Sequence, residues 1–368
     1  MRHYGVRRRR IRQRDAGAGR IMLIRTNLGH TSATWLATLG VCAGMLVFAS
    51  ATPAQSAGTS QWTSRPPVNH ARAGLSVEQA GNAIVAVGGF DDNDLNGFTE
   101  ARHADGPGVW HDLATMPTAR ANFASAIVGG FLYAAGGYDA VDLTNVVERY
   151  NSRLNQWTTS RPLPQPRGGD AGASLDGVFY VAGGYVTPSV GDDQLSASVL
   201  AYEPQRDIWR YVAPMHTARE RHRLVAAGGF LYAIAGVDAN GTSLTTVERY
   251  NPRTNVWVII APLGASRAVP GVVSTSIAGH PVIVVVGGVE FDASGNIVGP
   301  RRTTEVLNIA TGRWHTIDVL LPYGRASLGC AVDADGAVLA ISGATLVNNQ
   351  SVFVSDVDAL RLEPRDLS

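Results

Sequence analysis

Six arginines recur at a nearly constant distance behind six tryptophans. Arg72, Arg120, Arg167, Arg219 and Arg267 stand ten residues after Trp62, Trp110, Trp157, Trp209 and Trp257, and Arg325 stands eleven after Trp314. Guanidinium groups gathered on one rim would make a positive ring suited to carboxylates or sulfates; held singly by acids or carbonyls, they would be framework. The run Arg219-Glu220-Arg221-His222-Arg223 is unusually charged, and suits either an anionic ligand or a solvated wall. Asp91-Asp92-Asn93-Asp94 and Asp192-Asp193 are strings of oxygen donors of the kind that hold calcium, but without the full EF-hand pattern an acidic turn is the plainer reading. Neither a serine–histidine–acid order, a phosphate-binding glycine loop nor a metal-binding histidine pair is discernible, so no cofactor is implied.

The elements that must position these residues follow from the same period. A glycine ends an apolar run 27 residues after each of the first four tryptophans, at Gly89, Gly137, Gly184 and Gly236; Gly288 and Gly343 follow at 31 and 29. Each copy divides into four strands: one after the arginine, a near-continuous apolar one into the glycines, a third such as Val147-Glu148-Arg149-Tyr150-Asn151, and a fourth beginning at the tryptophan. The third is repeated almost letter for letter as Val247-Glu248-Arg249-Tyr250-Asn251. A second strand that is apolar on both faces belongs in a sheet stacked between two others. Large aromatics suit the wedge between such sheets, so the tryptophans and tyrosines are expected to pack between repeats.

Composition agrees. Glycine supplies 41 of 368 residues and charged side chains only 17 %, which fits short strands and tight turns and argues against coiled coil and disorder. Nine of the 31 basic residues, all arginine, fall in residues 1–25 with one acid, Asp15, leaving 22 against 29 acids in the rest. A body of that sign without a basic stripe excludes nucleic-acid binding. The basic N-terminus, the apolar stretch around Trp35 to Ala49 and the small residues Ala49-Ser50-Ala51 match a secretory signal. Residues 1–57 are therefore read as a signal cut after Ala51 or a little later, or as an uncleaved membrane anchor, and residues 58–368 as the folded domain outside the cytoplasm. With Cys42 inside the apolar stretch, the domain keeps only Cys330 and no internal disulfide can form.

The glycine pair ending strand two, the tyrosine of strand three and the tryptophan seven residues on resemble the kelch repeat. The resemblance covers about residue 60 to the C-terminus, with Ala235-Gly236 and Ser342-Gly343 replacing two glycine pairs and Leu307 and Leu362 standing at the tyrosine position. It implies an all-β, six-bladed propeller with four antiparallel strands per blade. The chain stops before the sixth repeat's own fourth strand, so Gln61-Trp62-Thr63 is expected to close the ring on the last blade.

In such propellers the first strand lies nearest the axis. The resemblance thus places the six arginines at a ligand-binding mouth and turns Leu75, Phe123, Asp170, His222, Pro270 and Leu328 toward the channel, with Asp170 and His222 its polar members. It implies a binding module that takes a protein or a carbohydrate on its loop face. The alternative is an enzyme similar to the N-acetylneuraminate epimerases. In that reading Glu290 acts as general base and Arg301 and Arg302, with the mouth arginines, hold a sugar carboxylate. Cys330 lacks the surroundings of the copper site of galactose oxidase-like propellers.

Overall fold

The structure is a computed structural model and describes residues 60–105, 108–188, 192–292 and 294–367. The segment read from the sequence as an export signal lies outside the described residues, as does Gly191. Among the described residues, six four-stranded antiparallel sheets follow one another along the chain. Blade two is typical: Ala124–Val128, Phe131–Ala135, Val147–Asn151 and Gln156–Thr159, paired in sequence order.

The sixth blade takes its outer strand from the other end of the chain. Trp62–Arg65 pairs antiparallel with Val357–Leu360, Trp62 opposite Leu360 and Arg65 opposite Val357. Val357–Leu360 is itself the third strand of that sheet, beside Val338–Ile341 and Gly329–Val332.

Second strands are the buried layer, as their unbroken apolar sequence requires: Val282 to Val286 are fully buried. Fourth-strand aromatics join neighbouring blades. The indole N–H of Trp157 donates to Ala114 O (2.8 Å), that of Trp209 to Arg161 O (3.0 Å), and that of Trp257 to Ala213 O (2.9 Å). Tyr150 and Trp157 pack at 5.2 Å between ring centroids, and Tyr250 and Trp257 at 5.1 Å. An indole buried in this way covers area and satisfies its one donor together, which favours tryptophan over phenylalanine here.

Two circuits of backbone hydrogen bonds run around the axis. In the first, the glycine that follows strand two at the repeat position donates to the carbonyl of the next blade's arginine: Gly89 to Arg120, Gly137 to Arg167, Gly184 to Arg219, Gly236 to Arg267, Gly288 to Arg325, and Gly343 back to Arg72. In the second, the residue two beyond each arginine donates to its counterpart on the preceding blade. Asn122 donates to Gly74, Gly169 to Asn122, Arg221 to Gly169, Val269 to Arg221, Ser327 to Val269, and Gly74 to Ser327. All six of these residues have positive φ, from 44° at Val269 to 68° at Gly169. Only that left-handed turn aims every N–H along the circuit, and a valine or arginine there carries backbone strain.

Candidate functional site

All six repeat arginines are fully buried. Five of the guanidiniums satisfy carbonyls that the sheet ladder leaves open where strand two ends and strand three begins, and Arg72 takes those of Gly88 and His70 (both 2.8 Å). Arg120 donates to Ala134 O (3.1 Å) and Val146 O (2.9 Å), and pairs with Glu148 at 2.9 Å. Arg219 donates to Ala235 O (2.9 Å) and Thr246 O (3.0 Å), and pairs with Glu248 at 2.7 Å. Arg72, Arg267 and Arg325 are bound likewise, to Glu100, Glu305 and Asp358. Arg167 donates to Gly183 O (2.6 Å) and to the Ser198 hydroxyl (2.8 Å). The expected positive mouth is therefore corrected. These guanidiniums are framework, because most of their donors are spent on orphan carbonyls and an acid or hydroxyl inside the blade.

Asp170 and His222 are corrected as well. Asp170 is 3 % exposed and His222 fully buried, each tucked under the first glycine of the preceding blade. A Cβ on Gly183 would lie 2.6 Å from His222 Cε1, and one on Gly136 3.2 Å from Asp170 Oδ2. Neither ring nitrogen of His222 has a partner, and burial among Arg219, Arg223 and Arg167 pushes its pKa well below the usual histidine value. Burial raises the Asp170 carboxyl to about 7 against the pull of Arg167 and Arg120.

Below the second hydrogen-bond circuit lies a small polar chamber of about 90 Å³, lined by Glu78, Ser125, Asp170, Arg223 and Cys330 among others. Glu78 accepts a hydrogen bond from Ser125 (2.6 Å), and burial raises its carboxyl to about 7. Arg223 spans two blades, donating to Pro270 O (2.8 Å) and Leu328 O (3.3 Å). Burial pushes the Cys330 thiol up to about 12, so it stays protonated.

Above the circuit the mouth opens into a larger cavity of about 240 Å³. Its floor is Asn122, Arg221, Val269 and Ser327, four members of the circuit. Its walls come from the loops beyond strand two: Phe90 from blade one, Val289, Phe291, Ile297 and Pro300 from blade five, Leu346 from blade six. Arg221 is the one charged side chain among the lining residues, its guanidinium 5.6 Å from the centroid of Phe291. The signal for it was the charged run 219–223: the left-handed position is Gly, Asn, Gly, Val or Ser in the other blades and arginine only in blade four.

Glu290 lies outside this cavity. Its strand Val289–Phe291 alternates, turning Val289 and Phe291 into the pocket and Glu290 away. Glu290 is held by Arg301 (2.6 Å) and the Ser266 hydroxyl (3.2 Å), while Arg301 also donates to Ser266 O (2.8 Å). Arg302 is exposed and donates to Leu321 O (2.7 Å). The expectation of Glu290 as a base beside the mouth arginines is thus corrected: the arginines are internal, and Glu290 fastens a hairpin. In the blade-one turn Asp91 uses Oδ1 on the amides of Asn93 (2.7 Å) and Asp94 (3.2 Å), the hydrogen bonding of an acidic turn. In blade three Asp193 accepts from the Thr187 hydroxyl at 2.8 Å.

Comparison with known proteins agrees with this architecture. The family model described as "Kelch motif" matches residues 119–164, 166–216 and 218–264. Mouse Kelch-like protein 35 is 38 % identical over 97 residues, 26 % of this chain and 16 % of that protein. Human Kelch-like protein 34 is 28 % identical over 129 residues, 35 % of this chain and 19 % of that protein. The chain thus spans less than a fifth of the length of either relative. The solved structure of YjhT superposes with a TM-score of 0.67 at 17 % identity, covering 80 % of this chain and 96 % of its own. With three of its six repeats matched by the Kelch motif and its blades matched by shape, the chain carries kelch repeats and folds as a kelch-type β-propeller.

Proposed function

We propose that the protein is a binding module that seats an extended segment of a protein partner in the axial mouth. The observation that carries this reading is the 240 Å³ cavity, where loops from separate blades bring Phe90, Phe291, Ile297 and Leu346 together around the single guanidinium of Arg221. Pockets that select ligands have this make-up: mostly apolar walls with few placed polar groups. The repeat arginines are buried inside the blades, so selectivity falls to the loops, which differ from blade to blade. The basic and apolar N-terminal run supports action outside the cytoplasm.

The test is selection of binders from a random-peptide display library on the immobilised protein, followed by calorimetry with wild type and Phe291→Ala. Truncating a central aromatic costs about 2 kcal/mol or more of binding. Selected peptides should therefore weaken at least about tenfold on Phe291→Ala with the melting temperature unchanged. Peptides that bind both proteins equally would place the contact elsewhere and end this reading.

A further inference from the structure

We propose that Arg221 anchors a carboxylate carried next to an aromatic group, and that Glu220 is a built-in competitor for that anchor, so the mouth binds such anions more tightly as the solution becomes more acidic. This deepens the reading of the mouth as a binding site and rests on it.

The argument starts from a departure in the repeats. The residue after each arginine is Ala73, Ala121, Gly168, Ala268 or Ala326, and the next is small or polar or valine. In blade four the same two positions are Glu220 and Arg221, adjacent and of opposite charge. Neither is needed for the ring: the circuit uses only their backbone, and glycine serves at two of the equivalent left-handed positions. Arg221 nevertheless carries a φ of 54°, a strained setting for a long side chain. Such strain marks a position chosen for what the side chain does.

The pair has its own housing. Glu220 is 6 % exposed and sits over Gly169 of blade three, whose missing side chain makes room: a Cβ there would lie 2.9 Å from Glu220 Oε2 and 3.6 Å from the Tyr138 hydroxyl. The Glu220 carboxylate stands 3.5 Å from Arg221 Nε, beyond a good hydrogen bond, so the guanidinium is attracted but not committed. Arg221 also faces the Phe291 ring and lines the cavity with it. A ligand with a carboxylate on Arg221 would place its apolar group among Phe90, Phe291, Ile297 and Leu346.

The groups facing Glu220 are Tyr138 from the blade-two loop, Tyr185 from blade three and Arg221 from its own segment, with Asp170 also within reach of Tyr138. Burial raises the Glu220 carboxyl above the usual glutamate value, opposed by Arg221. Both tyrosines are pushed up by burial and by the Glu220 charge, so they stay neutral; the carboxyls here that burial raises are Glu220 beside Arg221 and, on the far side of Tyr138, Asp170, and the Glu220→Gln variant separates the two. Ionised, Glu220 offsets the charge of Arg221 and repels an incoming anion; protonated, it does neither.

The test uses the full chain and a defined probe, acetyl-Ala-Ala-Phe with a free carboxylate, alongside its C-terminal amide. Affinity is measured by calorimetry at about pH 5.5 and about pH 8, where the peptide carboxylate is ionised throughout. The carboxylate form should bind about tenfold tighter at the lower pH, and the amide weakly at both. Glu220→Gln should bind the carboxylate at the higher pH as the wild type does at the lower, and Arg221→Gln should lose the preference for carboxylate over amide. Wild-type affinity independent of pH, or a pH dependence that survives Glu220→Gln, would overturn the role of Glu220 while leaving the mouth as a site. A wild type that binds neither peptide, while display-selected peptides still depend on Phe291, would overturn the ligand assignment. Failure of the Phe291 test as well would remove the site itself.

Discussion

Arg167 has its neighbouring carboxyl in Asp170, three residues along the chain, and not on its own third strand, where Ser198 gives it only a hydroxyl at 2.8 Å and a carbonyl at 3.2 Å. In every other blade an acid on strand three answers the arginine: Glu100, Glu148, Glu248, Glu305 or Asp358. The blade that lacks this acid is the one with a carboxylate at the strand-one position filled elsewhere by Leu75, Phe123, His222, Pro270 and Leu328. The charge has moved from one strand to another while the guanidinium stayed in place. That exchange identifies the arginines as structural parts whose burial must be balanced.

Breaking one of these pairs should be costly. Arg120→Leu leaves Glu148 buried without its cation, and removal of one partner of such a pair costs about 3–5 kcal/mol. Adding Glu148→Leu should recover a large share of the loss, because the uncompensated charge goes too. Urea unfolding of the single and double variants measures both. A single variant as stable as the wild type would mean that Arg120 is not a framework residue.

The strand at the N-terminal edge of the propeller should be essential to it. Trp62–Arg65 supplies the fourth strand of the last blade, and Trp62 packs against the core between blades five and six. Removing residues 58–65 exposes that core and the ladder edge of Val357–Leu360, and should lower the melting temperature by about 10 °C or more. An unchanged melting temperature would show that the pairing contributes nothing to closure.

Much of this was legible in the sequence, and the reasons differ by residue. Blade number and strand order follow from the tryptophan, arginine and glycine registers, because each marks a contact that recurs with small variations from blade to blade. The pairing of Trp62 follows from counting strands at both ends. The fate of the arginines was harder to read. Their partners lie 28 to 38 residues downstream, as with Arg72–Glu100 and Arg267–Glu305, and only the fold brings them together. Asp170 does line the small chamber with Leu75, Phe123 and Leu328, but closed in under the glycine of the preceding blade, and His222 is buried there without reaching the chamber, so burial and not position was what the sequence concealed. The mouth itself is aperiodic: Phe291, Ile297 and Leu346 come from loops that share no register, so no repeat pattern announces them.

The glycine pairs give a graded test. Gly183 has a φ of 64°, and a Cβ there would meet Arg219 O at 2.5 Å and the His222 ring at 2.6 Å. Gly177 has a φ of 77° and open space around it. Gly177→Ala should therefore cost about 1 kcal/mol from backbone conformation alone, and Gly183→Ala about 2–4 kcal/mol because a neighbouring blade must also shift. Chemical denaturation ranks the two. Equal costs would mean that the close approach of His222 to the glycine is of no consequence.

Asp170 and Glu78 should make stability depend on pH in a direction opposite to that of an ordinary salt-bridged acid. Burial raises both carboxyls to about 7, from 3.8 for Asp170 and 4.5 for Glu78. Between those ordinary values and about 7 the folded chain holds protons that the unfolded chain releases. Stability from these two groups is therefore fully present at low pH and lost as pH rises through that window. The variant carrying Asp170→Asn and Glu78→Gln presents neutral groups at every pH and escapes the loss. Its melting temperature relative to the wild type should rise between about pH 5 and about pH 8, with most of the change complete near neutrality. Other acids, such as Asp112 and Asp207, are held below their usual values and act in the opposite sense, but they are common to both proteins and cancel in the difference. A difference that stays flat across this range would mean that neither carboxyl is raised, and would require both to be ionised and solvated inside the propeller.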